Sequence, residues 1–123
     1  MTGRAVLLFG HGSRDPAWRE PMDAVARRIR ERSPATDVVC AFLELQSPDF
    51  PAAVAELARR GAGQVTVLPM FLGVGKHARE DLPRLVASAR AAHPGLRLDI
   101  LPSVGERADV LDLLADAALQ GVS

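Results

Sequence analysis

The chain has 123 residues, 15 basic and 15 acidic side chains, and 48% hydrophobic content. That length buries one core without disulfide or metal staples, and the composition is that of an ordinary soluble globule. A formal net charge of zero and 4% aromatic residues, none of them Tyr, argue against a nucleic-acid groove, a base-stacking platform or an anionic membrane surface.

No apolar stretch approaches the ~20 residues of a membrane helix. The first apolar run is too short for the h-region of a secretion signal. The single Cys40 has no internal disulfide partner and lies inside an apolar run, so it reads as a small buried hydrophobe in a reducing compartment. A cytoplasmic protein is expected.

Short apolar runs alternate with longer helical patterns. Residues 5–9 form a continuous apolar run, as in a strand covered on both faces. Residues 15–32 carry Val25, Ala26 and Ile29 at helical spacing, opposite Arg27, Arg28, Arg30 and Glu31. Asp15 before Pro16 is a suitable N-cap, and Ser33-Pro34 stops the helix. Residues 37–45 are a second strand, and residues 51–60 a second helix opened by Asp49 and closed by Gly61. Residues 65–68 are a third strand, ended by Pro69, which has no N–H for a ladder. Residues 81–93 are a third helix, residues 96–101 a fourth strand and residues 107–119 a last helix. His93, in the final turn of the third helix, interacts favourably with the helix dipole, a structural role.

This β-α-β-α-β-α-β-α order predicts one α/β domain over residues 1–123: a three-layer α/β/α fold with a four-stranded parallel sheet and right-handed crossovers. The order 2-1-3-4 sets the first and third strands side by side at the switch point, where ligands bind beyond the strand C-termini. A faint internal echo supports two similar βαβα halves. His11 precedes Asp15-Pro16 as His77 precedes Asp81-Leu82-Pro83, and Ser33-Pro34 is matched by His93-Pro94.

The two histidines are the principal candidates for chemistry. His11 lies in Gly10-His11-Gly12-Ser13-Arg14 after the first strand, and His77 in Gly73-Val74-Gly75-Lys76-His77 after the third. Imidazole is both a base near neutral pH and the commonest metal ligand. Two of them at one sheet end can share a small ligand. Glu44, at the end of the second strand run, is a third oxygen ligand or a proton acceptor beside them. His, His and Glu suit a first-row divalent ion without specifying which. The run Pro69-Met70-Phe71-Leu72-Gly73 continues past the sheet ladder and offers Met70, Phe71, Leu72 and Gly73 as an apolar wall for a flat ligand, while Trp18 reads as packed onto its own helix rather than as a cover for that pocket. Arg14, Lys76 and Arg79 flank the histidines and suit carboxylates, as do the Ser13 hydroxyl and nearby backbone N–H groups. A His nucleophile acting on a phospho-ligand is permitted by the first turn but leaves His77 and the apolar wall unused.

Gly10–Pro16 (G-H-G-S-R-D-P), Phe42–Leu45 (F-L-E-L) and Pro69–Pro83 (P-M-F-L-G-V-G-K-H-A-R-E-D-L-P) together resemble the CbiX-type sirohydrochlorin chelatases in their short single-domain form. The likeness covers nearly the whole chain, and the third motif is the most specific. The resemblance implies ATP-independent insertion of a divalent metal, Co²⁺ first, into sirohydrochlorin on the cobalamin route. Related members insert Fe²⁺ or Ni²⁺. It implies no tightly bound cofactor, a tetrapyrrole partner and a homodimer. His11 and His77 match the family's metal-binding histidines, and Glu44 its acidic position. A non-catalytic tetrapyrrole or metal carrier stays open as the alternative.

Overall fold

A computed structural model describes residues 3–122 of the chain. Four strands, β1 (Gly3–Gly10), β2 (Asp37–Phe42), β3 (Ala62–Pro69) and β4 (Arg97–Ile100), form one sheet in the order β2-β1-β3-β4. Every pairing is parallel. Four α-helices follow in alternation: α1 (Glu20–Arg32), α2 (Phe50–Arg59), α3 (Lys76–Ala92) and α4 (Ala108–Leu119). Fold class and strand order agree with the sequence reading.

The sheet separates two apolar clusters. Leu7, Phe9, Val65 and Val67 face α2 and α3, where Phe9 meets Phe50 and Phe71 edge-on at centroid distances of 5.3 and 5.7 Å. Leu8, Val38, Cys40 and Phe42 face α1 through Met22 and Ala26. Alternate residues of β1 therefore bury on opposite faces, which is why its sequence is apolar throughout. Burial in the second cluster, reinforced by the nearby Asp23 carboxylate, pushes the Cys40 thiol above its ordinary value. Its thiolate, the reactive form, is correspondingly disfavoured.

Local chemistry fixes the helix ends. The Asp49 carboxylate accepts from Ala52 N at 2.9 Å and starts α2. Asp15 accepts from Ala17 N, but the first turn it caps, Pro16–Arg19, is a 3-10 helix and α1 proper begins at Glu20. The edge strands are shielded in matching ways. Arg30 donates to the Val38 carbonyl on β2 at 3.1 Å, and Arg90 to the Leu98 carbonyl on β4 at 2.7 Å. Each arginine lies eight residues before its acceptor. These bonds occupy edge carbonyls that would otherwise template another strand.

Other expected boundaries move as well. The second strand ends at Phe42 rather than 45. The third begins earlier, at Ala62, and Pro69 is its last residue. The largest shift is in α3, which starts at Lys76, five residues before the expected Asp81, and carries Pro83 in its interior. Proline lacks the N–H that would bond the Arg79 carbonyl, but Pro83 is exposed, and Ala78, Val86 and Ala89 hold the helix to the core. Packing outweighs the local breaker.

Replacing Asp49 by Ala removes a cap that no neighbouring side chain duplicates. Urea unfolding of Asp49→Ala should show a stability loss of about 1 kcal/mol with an unchanged m-value. An unaltered midpoint would show that the cap contributes nothing.

Candidate functional site

The site is assembled where β1 and β3 end. The pairing of these two strands runs to Phe9 opposite Pro69, and Met70 N then donates to Phe9 O at 2.7 Å. Both strands release the chain at the same level. The β1–β2 ladder also continues past the strand ends: Leu43 N donates to Gly10 O at 2.9 Å, and Glu44 N to His11 O at 3.0 Å. Glu44 is thus held beside His11 by the backbone, although it lies two residues beyond the end of β2.

The two loops approach so closely that a side chain is excluded between them. Gly12 has φ +92°, and a Cβ there would fall 1.8 Å from the Glu44 carbonyl oxygen. Only glycine satisfies both the left-handed backbone and the contact. Gln46 N donates to Glu44 O at 2.8 Å, closing a three-residue turn around Leu45 at φ 67°. This is the strained hand of the γ-turn. It leaves Leu45 56% exposed beside the loop. Ser13 N donates to the Gln46 side chain at 3.2 Å, and Asp15 N to Ser13 Oγ at 3.1 Å, so the Ser13 hydroxyl already accepts one internal bond.

His11, Leu43, Glu44, Lys76, His77 and Asp81 line a single cavity of about 430 Å³. His11 is half-buried, its ring stacked at a tilt on Phe71 with centroids 4.4 Å apart. His77 and Glu44 are exposed. Because α3 begins at Lys76, His77 stands in its first turn rather than in a preceding loop. Asp81 follows at i+4 and therefore shares its helix face. In the sequence Asp81 marks a helix start and one half of the internal echo, and the spacing His77-x-x-x-Asp81 points to the site once the helix is extended backwards. One Asp81 oxygen is engaged by Arg84 at 2.8 Å.

Among the described residues, no three His, Cys, Asp or Glu side chains stand together closely enough to hold a metal ion. The cavity therefore offers separated donors on two loops and a helix, rather than a closed coordination cage. Closed four-ligand sites retain their metal, and open ones exchange it.

The other expected contacts divide. Lys76 lines the cavity. Ser13 and Arg14 lie on the adjoining loop outside it. Met70 does not face the mouth: it packs with the α1-side cluster around Leu8 and Phe42. Phe71 is buried at 2% exposure and supports His11 from the core. Leu72 is 66% exposed, and Gly73 has open space around it, so these two remain on the surface outside the cavity, in the segment that leads to Gly75 on its rim. The Leu72 segment is pinned from behind, because Gly105 N donates to Phe71 O at 3.1 Å and a Cβ on Gly105 would collide with the Leu72 carbonyl. Arg79 lines a separate apolar groove of about 380 Å³ between α3 and β4, with Val74, Leu82 and Ile100. Trp18 is 44% exposed and lies over Gly10.

The CbiX family model matches residues 5–120. A sirohydrochlorin cobaltochelatase of Methanocaldococcus jannaschii is 35% identical over 72% of this chain and 62% of its own length. The chain spans about three fifths of the length of the curated relatives it matches at this identity. A Marinobacter aquaeolei VT8 protein assigned to cobalamin biosynthesis as CbiX superimposes with a TM-score of 0.81, at 26% identity, over 97% of both chains. The sirohydrochlorin chelatase SirB of Bacillus subtilis subspecies spizizenii, solved in complex with cobalt, gives a TM-score of 0.79 at 26% identity. That match covers 98% of this chain and 51% of SirB.

Gly12→Ala should force the 43–46 loop away from the 10–13 loop. A drop of more than about 1 kcal/mol in thermal unfolding, with weakened Co²⁺ binding by calorimetry, is expected. Unchanged values for both would mean the loops do not depend on that contact.

Proposed function

The chain belongs to the CbiX family, and on that premise we propose that it inserts a divalent metal ion, Co²⁺ in the first instance, into sirohydrochlorin without ATP. The observation that carries this reading is that two imidazoles, His11 just past β1 and His77 in the first turn of α3, line one open cavity. The chain acts as one chelatase-like domain that works as a homodimer in the cytoplasm, the compartment that suits its free, buried Cys40.

The metal is a substrate, and the site has to let it go. Neutral His11 and His77 hold the ion, and Glu44 approaches as an oxygen donor. A partial, exposed ligand set of this kind binds weakly enough for transfer, whereas a complete tetrahedral set would trap the ion. Imidazole and carboxylate accept Fe²⁺, Co²⁺ and Ni²⁺, so the donor set alone does not reject the neighbours of cobalt.

Insertion exchanges two pyrrole N–H protons for one M²⁺. Each proton needs a base, and the bases at the cavity are Glu44, Asp81 and whichever imidazole the ion has left. Glu44 is the first candidate because its backbone is tied to that of His11. The apolar tetrapyrrole face lies over exposed Leu72 and Gly73, and its peripheral carboxylates meet Lys76, Arg14 and the Ser13 turn. Met70 and Phe71 support this surface from within. Metal and macrocycle held together convert an encounter of three bodies into a local step.

The direct test is anaerobic insertion of Co²⁺ into sirohydrochlorin, followed by absorbance, with Fe²⁺ and Ni²⁺ in parallel. His11→Ala and His77→Ala should each lower the rate at least about 100-fold, the lower end for a positioned acid–base group. Wild-type rates in both variants would remove the site assignment. Binding of metal and tetrapyrrole without acceleration over the spontaneous reaction would make the protein a carrier.

A further inference from the structure

The cavity that holds the two histidines has a neighbour. A second hollow of about 320 Å³ lies further along α3, lined by Leu43, Asp81, Arg84, Leu85 and Ser88. Leu43 and Asp81 border both hollows, so the two adjoin along one edge. His77, Asp81, Arg84, Leu85 and Ser88 fall at i, i+4, i+7, i+8 and i+11 and form one face of the helix. Leu43 is fixed by the bond from its N to the Gly10 carbonyl at 2.9 Å. Leu43 and Leu85 are half-buried against the core on the α2 side, which gives the second hollow an apolar floor.

Arg84 is the one cation lining this hollow among the described residues. Its guanidinium turns back along the helix to Asp81 at 2.8 Å, and its other bond, from Nε to the Glu80 carbonyl, is long at 3.4 Å. The arginine side chain is 74% exposed, and an exposed ion pair of this kind holds weakly and exchanges readily. Asp81 stands four residues from His77, about 6 Å along the helix axis. A guanidinium at that level is within reach of a side arm on a macrocycle whose centre meets an ion at His77. Such a macrocycle carries carboxylates around its whole edge, and Lys76, Arg14 and the Ser13 turn serve only part of it. A carboxylate that takes the place of Asp81 gains a planar, bidentate, charge-assisted partner.

We propose that the hollow beside Leu43 and Leu85 receives one edge of the tetrapyrrole, and that Arg84 exchanges Asp81 for a substrate carboxylate. Arg84 is thereby a specificity residue, which favours macrocycles with acidic side arms over those without. Ser88, one turn further along the helix, offers its hydroxyl to the same side arm. This deepens the proposed function and rests on it for the identity of the substrate.

Binding of metal-free sirohydrochlorin to the full chain, read by its absorbance, tests the subsite apart from catalysis. Arg84→Ala should weaken the affinity at least about 10-fold, Arg84→Glu should weaken it more, and Arg84→Lys should recover part of the loss. Arg79→Ala removes a cation from the same helix but from the separate groove beside β4, and should leave the affinity close to that of the wild type. Against methyl-esterified sirohydrochlorin, wild type and Arg84→Ala should bind alike. Co²⁺ binding without tetrapyrrole should be the same in both. Equal affinities for sirohydrochlorin in wild type and Arg84→Ala, equal losses in Arg84→Ala and Arg79→Ala, or a matching loss of Co²⁺ binding would overturn the inference and leave the histidine site standing. A wild-type chain that binds sirohydrochlorin through Arg84 yet inserts no cobalt would uphold the subsite and overturn the proposed activity. A wild-type chain that binds no sirohydrochlorin would overturn both.

Discussion

The site depends on the parallel pairing of β1 with β3. Register fixes Leu8 opposite Leu68 and Phe9 opposite Pro69, and the bond from Met70 N to Phe9 O carries that register one step beyond the sheet. Because the strands run in the same direction, their exits lie at one edge, as a parallel sheet with crossover helices requires. A histidine two residues past Phe9 and another in the first turn of α3 are thereby brought to one cavity. Neither lies near the other in sequence. The same apolar residues that bury the strands on both faces hold this register, so the core and the site are not separable.

The second support is backbone contact between the loops after β1 and β2. Gly12 admits the Glu44 carbonyl where any other residue would place a Cβ. Leu45 accepts a left-handed conformation to turn the chain back, and the Glu44 amide bonds the His11 carbonyl. Strain of this kind persists where surrounding contacts over-determine it, and such positions gather at functional sites. Here it keeps a carboxylate near an imidazole without a side-chain hydrogen bond between them, so both groups remain available to a ligand.

Much of this was legible in the sequence because it is written in local signals. Continuous apolar runs marked the strands, Asp49 and Asp15 marked helix starts, and the alternation of elements led to the order 2-1-3-4. The site was legible where histidine follows a strand. It was illegible where tertiary packing overrode a local breaker. Pro83 and Asp81 together imitated a helix beginning, and so concealed that α3 starts at Lys76 and that His77 and Asp81 share a face. Met70 differs from the expectation for another reason. The period-2 alternation of β3 runs on past its end, so Met70 turns with Leu68 to the α1 side while Phe71 follows Val67 into the opposite core, and consecutive residues cannot form one wall.

The account stands on the two imidazoles gripping one ion, with the open donor set letting it leave. X-ray absorption at the cobalt edge on the Co²⁺-loaded full chain reads that directly, because imidazole rings give a distinctive multiple-scattering pattern. Two imidazoles per cobalt, falling to one in His77→Ala, is the predicted result. A cobalt shell made of oxygen alone, or one left unchanged by that substitution, would contradict it.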